Sequence, residues 1–357
     1  MTPIFLPLIG QYQNIGDIIL RRPLAKWLQG DSRLHVFTGD APAGYTEALQ
    51  LRPDDHVYTS FLSWYRAGME ASRRQKSIYL FKPGEIQLSL KGMKEHLGVL
   101  PMAKRFKARG GSVARLGSGV RNFSSFYRRL ITPSLKVSDL TYWRDQGSFQ
   151  YLGHGGVMPD LAFAEGGELS RISSMENRRY LIVSMRGDRP APNDAWRKAV
   201  REFAQKHHLE IMAVTQVLMD SARSRELAGS LGGQVLDWDG HDHMQQEQRL
   251  RDVYRRAALV VSDRLHVLIA AYTEGAAPAG LTTDNSSKVD RHFEAIGLKG
   301  VGQSAATWSA ERIGQFLEDT LRQRESYLNT LGQARASLDG IRKELVSFVE
   351  AVRRREA

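Results

Sequence analysis

The chain has 357 residues, of which 42% are hydrophobic and 25% are charged, and it contains no cysteine. This length favours two domains, because single hydrophobic cores stop growing near ~250–300 residues. The missing thiols exclude disulfides, thiolate zinc sites and a cysteine nucleophile, and they fit a reducing cytoplasm. The 50 Lys and Arg outnumber the 39 Asp and Glu, and the resulting net charge of +11 attracts phosphorylated ligands, polyanions or anionic membranes.

The chain starts with an apolar segment, MTPIFLPLIGQYQ. This segment lacks a basic start and a long apolar core, so we interpret it as a first strand rather than a signal peptide. No apolar run reaches the ~18–20 residues that a membrane span needs, and we expect a soluble, cytoplasmic protein. Basic clusters at residues 104–109, 127–130 and 353–356 are typical of solvated surfaces, and we expect no nucleic-acid binding.

Short apolar strands alternate with turns and amphipathic helices through the first half of the chain. The pattern predicts a helix near residues 17–28 and another after the second strand. Residues 165–178 are polar and aperiodic, as in a linker. The predicted strands of this half lie at residues 4–9, 34–39, 77–81, 112–120, 139–145 and 159–163.

The same alternation starts again after the linker. It predicts strands at residues 179–185, 210–214, 233–237, 258–261 and 278–281, the last of them ending the sheet. Strands that alternate with crossover helices form parallel sheets, here twice over.

The predicted fold is therefore α/β, with two Rossmann-like, doubly wound domains facing a cleft. We predict the first domain at residues 1–168, the second at 177–308, and a long C-terminal helical segment at 309–357.

The C-terminal segment carries an apolar heptad seam. A seam of this kind serves either a long helix packed on the protein's own body or a homodimeric coiled coil, and the pattern favours neither. In both cases the basic residues 353–356 are placed to contact anionic lipid at the inner face of a membrane. The seam residues are Tyr327, Leu331, Ala334, Leu338, Ile341, Leu345, Phe348 and Val352.

The stretch ALVVSDRLHVLIAAYTEG, residues 258–275, carries charged residues in the middle of apolar sequence. A buried strand ends there and a buried helix begins. In such folds ligands bind at the carboxyl ends of strands, where helix N-termini present free N–H groups. Ser262 is placed to cap this helix.

Arg264 and His266 are two residues apart in that turn. They face one ligand if the helix begins at or just after His266, because residues i and i+2 of an extended turn point the same way. The structural alternative pairs Arg264 with Asp263 or Asp290 and sets His266 on a backbone carbonyl.

Two further cations follow predicted strands of the second domain. Arg186 comes directly after the strand at 179–185, where its planar guanidinium suits a carboxylate or phosphate. Lys288 opens a helix, a position in which a cation opposes the helix dipole and an anion would explain it. With Arg264, these residues predict a pocket for a small anion.

At these residues the sequence resembles the polysaccharide pyruvyl transferase family. "SDRLH" before an apolar helix is the most specific of the matching motifs, and their shared order strengthens the resemblance. The motifs are GQYQNIGD (10–17), YWRDQGS (142–148), PDLAF (159–163), VSMR (183–186), SDRLH (262–266) and SSKVDRHFEAIG (286–297).

Membership of this family implies a two-domain fold like that of the GT-B glycosyltransferases. It also implies phosphoenolpyruvate as donor, without a further cofactor, and a sugar with two suitable hydroxyls as acceptor. The product would be a cyclic pyruvate ketal on a cell-surface polysaccharide or its lipid-linked precursor. By position, Arg186, Arg264 and Lys288, with Ser262 beside them, would hold the donor, and His266 would carry acid–base chemistry.

The acceptor side of the resemblance rests on the loop after the first strand. Asn14, Gly16 and Asp17 lie there, and Asp17 is either a base for the attacking hydroxyl or the cap of its helix. Arg144 and Asp145 are interpreted as an ion pair rather than as catalytic groups.

Other readings of the sequence point to different functions. The histidines and aspartates of DWDGHDHM, residues 237–244, are too crowded to wrap one ion, so we expect no metal site. A nucleotide-sugar glycosyltransferase of GT-B type would have a glutamate where this chain has Ala270. A non-catalytic basic scaffold assembled by the C-terminal helix is the second alternative.

Overall fold

The computed structural model describes residues 2–30, 32–172, 174–284 and 286–354. The chain forms two compact units. One extends over Met1–Tyr12, Leu20–Leu161 and Ser337–Ala357, and the other over Gln13–Ile19 and Ala162–Ala336. This division differs from the sequence-based one, because residues 13–19 join the second unit and the C-terminal segment is shared.

The first unit is built on a parallel sheet. Its strand order is β3-β2-β1-β4-β6-β7-β8, and β5 pairs with β6. The strands are β1 (Pro3–Pro7), β2 (Arg33–Phe37), β3 (His56–Tyr58), β4 (Ile78–Phe81), β5 (Gly84–Ile86), β6 (Ser112–Val120), β7 (Leu140–Trp143) and β8 (Gly156–Val157).

Helices cover this sheet, because their apolar faces must be buried against it. Trp64, Met102 and Phe106 pack on strand residues such as Phe5 and Tyr79 in one core cluster. The helices are α1 (Ile15–Leu28), whose residues up to Ile19 belong to the second unit, α2 (Ala43–Ala48), α3 (Phe61–Arg74), α4 (Leu90–Gly98), α5 (Leu100–Ala108), α6 (Ser125–Lys136) and α7 (Gln146–Leu152).

The second unit holds a six-stranded parallel sheet in the order β11-β10-β9-β12-β13-β14. The chain starts at β9, runs outward to β11, and returns to place β12 on the other side of β9. The carboxyl ends of β9 and β12 thus flank the switch point, where open α/β sheets bind ligands. The strands are β9 (Tyr180–Ser184), β10 (Glu210–Val214), β11 (Gln234–Leu236), β12 (Ala257–Ser262), β13 (Ala277–Thr282) and β14 (Gly302–Ser304).

The helices of the second unit pack on both sides of that sheet. One core joins Trp196, Phe203 and Leu317 to strand residues such as Val183 and Val261. The helices are α8 (Leu169–Ile172), α9 (Asp194–Lys206), α10 (Ser221–Leu231), α11 (His243–Arg255), α12 (Leu265–Thr273), α13 (Lys288–Glu294), α14 (Ala310–Arg322) and α15 (Arg324–Arg354), whose residues from Ser337 onward belong to the first unit.

Several predicted elements need correction. Residues 159–163 are not a strand: Leu161–Ala164 form a 3-10 helix, and Asp160 accepts a hydrogen bond from Arg144 at 3.2 Å. The predicted linker contains α8, and β14 follows the strand that was expected to be last. Asp145 caps α7 by accepting from the backbone N–H of Ser148, and the ion-pair partners of Arg144 are instead Asp160 and Glu85.

Helix α15 packs on the protein's own body. Seven of its eight seam residues are buried within the single chain and Phe348 is partly buried, so the seam is already covered and is not open to a coiled coil. Of the basic cluster at 353–356, residues 355 and 356 lie outside the described residues. Across the described chain, no helix combines the length and the apolar character that crossing a membrane requires.

Candidate functional site

Arg186 and Arg264 emerge side by side at the switch point of the second unit. Ser184 and Ser262, the last residues of β9 and β12, are direct register partners in the sheet. Each arginine follows its serine by two residues, and neighbouring strands lie about 4.8 Å apart. The side chains of Arg186 and Arg264 therefore leave the sheet at adjacent points of the edge where open α/β sheets bind ligands.

Arg264 is held by a buried carboxylate that the sequence analysis missed. Its Nε and Nη2 donate to the two oxygens of Asp220 at 2.7 and 2.6 Å, and Asp220 is only 1% exposed. Asp220 also holds the loop after β9, because it accepts the backbone N–H of Gly187 at 2.8 Å. Asp263 and Asp290, the partners that the structural alternative gave to Arg264, therefore do not pair with it.

Ser262 does not cap helix α12. Its hydroxyl donates to the carbonyl of Ser184 and accepts the backbone N–H of Arg264 at 3.0 Å. The hydroxyl is therefore used to close the turn between strand and helix. The helix begins at Leu265, after Arg264 in an extended conformation. For Arg264 and His266 to face one ligand, the helix was expected to begin at or just after His266. It begins one residue before His266, which therefore lies in the first turn of the helix.

Arg186 is paired with a more accessible carboxylate. Its Nε and Nη2 donate to Asp188 at 2.9 and 2.7 Å. This hydrogen-bonded pairing lowers the pKa of Asp188 to about 2. The Asp188 side chain is 38% exposed, unlike that of Asp220, so an incoming anion can replace it at far smaller cost.

Asp263 lies between the two arginine-bearing loops. It accepts the backbone N–H of Arg186 at 2.8 Å. Burial raises its pKa to about 6, although the hydrogen bond and both nearby guanidinium groups act in the opposite direction. The turn therefore contains a carboxyl group that titrates well above its usual range of about 4.

His266 lies against the loop of residues 13–17, which belongs to the same unit. A Cβ at Gly16 would sit 2.6 Å from the Cβ of His266, so only glycine allows this approach without a shift. The loop is anchored to the turn after β10: the backbone N–H of Ile15 donates to the carbonyl of Gln216 at 3.1 Å, and Asn14 forms a bridge with Val217.

Asn14, rather than Asp17, caps helix α1. Its side-chain oxygen accepts the backbone N–H of Gly16 at 2.9 Å, and its amide contacts Asp17 at 3.4 Å. Asp17 lies in the first turn of α1, where a carboxylate complements the helix dipole. The prediction that Asp17 caps its helix is therefore wrong.

Lys288 opens helix α13, as predicted, after the loop that follows β13. That loop is tied to the one after β9 by the ion pair of Arg189 and Asp284. Strand β13 neighbours β12, so Lys288 belongs to the third strand end along the same edge of the sheet. The structure puts Lys288 at this edge without a described contact to either arginine.

The acidic and histidine-rich segment at 237–244 is built as a loop and a helix cap. Asp239 accepts the backbone N–H of His241 at 2.9 Å, and Asp242 caps α11 by accepting from Gln245 at 2.9 Å. Within residues 2–30, 32–172, 174–284 and 286–354, no group of three or more His, Asp or Glu could hold a metal ion.

Comparison with known families identifies the chain. The sequence model of the polysaccharide pyruvyl transferase family matches residues 14–285, well over half of the chain. The chain belongs to this family. The match includes Arg186, Arg264, His266 and the loop at Asn14–Asp17, and Lys288 lies just beyond it. A search of curated proteins finds none that matches the sequence.

Solved structures show that this pyruvyl transferase family member has a GT-B-type fold. The UDP-GlcNAc 2-epimerase of Neisseria meningitidis, bound to UDP-GlcNAc, aligns at a TM-score of 0.60 and 10% identity over 98% of this chain and 100% of that one. Anabaena HepE with UDP and glucose aligns at 0.58 and 11%, over 98% and 100%. Phytolacca americana UGT2 aligns at 0.57 and 9%, over 96% and 99%.

Proposed function

We propose that the protein transfers the enolpyruvyl group of phosphoenolpyruvate onto two hydroxyls of a sugar, forming a cyclic pyruvate ketal and releasing phosphate. The observation that carries this proposal is the placement of Arg186 and Arg264 at adjacent strand ends of the switch point, with His266 in the first turn of α12. The family match supports the transferase class.

Arg186 and Arg264 would bind the donor in different ways, because their carboxylate partners differ. Asp220 occupies the Nε and Nη2 edge of Arg264 and orients it, so its Nη1 side is the one that meets the donor. Arg186 exchanges its exposed partner Asp188 for a ligand oxygen. Phosphoenolpyruvate carries a carboxylate and a phosphate, and guanidinium groups bind both bidentately. Lys288 completes the donor side of the proposal, whereas Ser262, buried and with its hydroxyl bonded within the turn, does not take part in it.

The proposed chemistry needs a proton donor between these clamps. Protonated His266 gives its proton to the methylene carbon, which becomes the methyl group of the ketal, and leaves C2 electrophilic. One sugar hydroxyl adds to C2 and loses its proton. The neighbouring hydroxyl then displaces phosphate and closes the ring, so that one donor and one diol yield one ketal and one phosphate.

The acceptor enters on the side of the loop at residues 13–17. Asn14, Gly16 and Asp17 come from one turn that touches His266 through Gly16. The Asp17 carboxylate is the candidate base for the first hydroxyl, a role compatible with its place in the first turn of α1. We propose a saccharide or a lipid-linked oligosaccharide as the acceptor.

The test is to incubate the protein with phosphoenolpyruvate and a panel of glycosides and to follow phosphate release together with ketal formation. Acceptor-dependent release of both products supports the proposal. Turnover of a UDP-sugar without any use of phosphoenolpyruvate would instead favour the glycosyltransferase alternative, whose fold this chain shares.

A further inference from the structure

The positive charge of the protein is concentrated in one segment of the first unit. Residues 96–138 contain nine Lys and Arg and no Asp or Glu, in a chain whose net charge is +11. This segment contains helix α5, which precedes strand β6, and helix α6, which precedes strand β7. Such a concentration makes a local positive field rather than a uniformly basic surface.

A groove on this unit collects four of these cations. It encloses about 510 Å³ and is lined by Lys104 and Lys107 of α5 and by Arg129 and Lys136 of α6. Lys107 forms an ion pair with Asp139, the first residue after the segment at 96–138. Within the described part of the chain, the other three make no ion pair, so their charge faces outward.

Large apolar side chains are exposed at the start of α6 and on α4, which packs against α6. Phe126, in the first turn of α6, is 62% exposed, and Phe123, two residues before that helix, is 53% exposed. Leu90 of α4 is 69% exposed. Phe126, Arg129, Pro133 and Lys136 follow one another at spacings of three and four, so they share one face of α6.

Cations interleaved with exposed aromatic and aliphatic side chains suit an anionic membrane surface better than a polyanion. The headgroup layer offers negative charge to Lys and Arg, and the acyl boundary takes up Phe and Leu. A nucleic acid or acidic polysaccharide would use the charges and leave Phe126 and Leu90 in water. We propose that this surface of α4, α5 and α6, called here the basic face, docks the protein onto a bilayer rich in anionic lipid.

The test is co-sedimentation of the full chain with vesicles. Binding is expected with phosphatidylcholine containing phosphatidylglycerol and not with phosphatidylcholine alone. The variant Lys104→Gln/Arg129→Gln should lose affinity roughly 25-fold, because each cation near an anionic surface contributes about fivefold. The matched control Lys198→Gln/Arg201→Gln removes the same charge from exposed positions of α9 in the second unit and should bind like the unchanged protein.

A second variant separates a membrane from a polyanion. Phe126→Ser alters an exposed side chain and so leaves folding intact, yet it should weaken vesicle binding several-fold at high salt, where charge attraction is screened within ~3 Å. Binding of a soluble polyanion should be unchanged in this variant. Equal losses in the α9 control, or no vesicle binding by the unchanged protein, would overturn the proposal. Vesicle binding at high salt that Phe126→Ser leaves unchanged would also overturn the proposal, and would assign the basic face to a soluble polyanion.

Discussion

Gly16 and His266 are in direct contact, although 250 positions separate them in the chain. A Cβ at Gly16 would lie 2.6 Å from that of His266 and 3.1 Å from the side-chain oxygen of Asn14. The loop that the family resemblance assigns to the acceptor and the histidine assigned to acid–base chemistry therefore form one packed arrangement within the second unit.

This contact predicts the effect of Gly16→Ala. The added methyl group forces the loop or α12 to move, and overpacking of this kind costs roughly 1–3 kcal/mol. Ketal formation should fall by more than tenfold and the melting temperature should drop. Gly314→Ala is the control, since nothing lies within 4 Å of a Cβ there, and alanine in α14 should stabilise the protein slightly. Full activity in Gly16→Ala would show that the packing of the loop at residues 13–17 against His266 does not matter for ketal formation.

Asp188→Asn tests whether the exposed carboxylate competes with the donor. The bidentate pairing with Arg186 keeps the pKa of Asp188 near 2, so the carboxylate stays charged at every pH of interest. Removing that charge frees Arg186 for a ligand, and the KM for phosphoenolpyruvate should fall severalfold while kcat changes little. A rise in KM would mean that Asp188 orients Arg186 instead of competing for it.

Asp220→Asn tests the buried orienting group. The amide still accepts from Gly187 but no longer pairs as a charged group with Arg264. Because charge-assisted hydrogen bonds contribute about 1.5–3 kcal/mol, the KM for phosphoenolpyruvate should rise at least tenfold, with a smaller change in kcat. Asp319→Asn, which removes an exposed partner of Arg322, is the control and should leave both constants unchanged. Unaltered kinetics in Asp220→Asn would remove Asp220 from the donor site.

Asp263→Asn tests the raised pKa in the turn. The folded protein binds the Asp263 proton up to about pH 6, whereas the unfolded chain releases it near its usual value of about 4. The protonated form thus stabilises the fold fully below about pH 4, and this contribution is lost as pH rises through 6. Asparagine keeps the oxygen that accepts from Arg186, so the variant should be about 2 kcal/mol more stable than the unchanged protein at about pH 8.

The comparison at about pH 4 serves as the internal control, because both side chains are then neutral and the difference should vanish. Thermal unfolding of both proteins across this range provides the measurement. A stability difference that is independent of pH would show that Asp263 does not titrate as described.

The repeated alternation of strands and helices made most of the fold predictable. Central strands such as β9 and β12 are apolar on both faces, so their positions follow from the sequence, and with them the positions of Arg186 and Arg264. The strands that were missed, β3, β5, β8 and β14, have two or three residues each, too few for a period to be seen.

The partners of the site residues were not predictable in the same way. Asp220 lies 44 positions from Arg264, in a 3-10 helix whose place beside the turn depends on the sheet order. The heptad seam left two outcomes open, because burial by the protein's own body and burial by a second copy demand the same apolar spacing. Only the packed structure separates them.

The most direct test of the account is calorimetric titration of phosphoenolpyruvate into the unchanged protein, into Arg264→Ala and into Arg201→Ala. The account predicts binding to the unchanged protein and to Arg201→Ala, whose substitution lies on the exposed surface of α9. It predicts loss of at least tenfold in affinity for Arg264→Ala, with the fold retained by circular dichroism. Equal affinity of all three proteins would contradict the assignment of the donor site to the edge of β9 and β12.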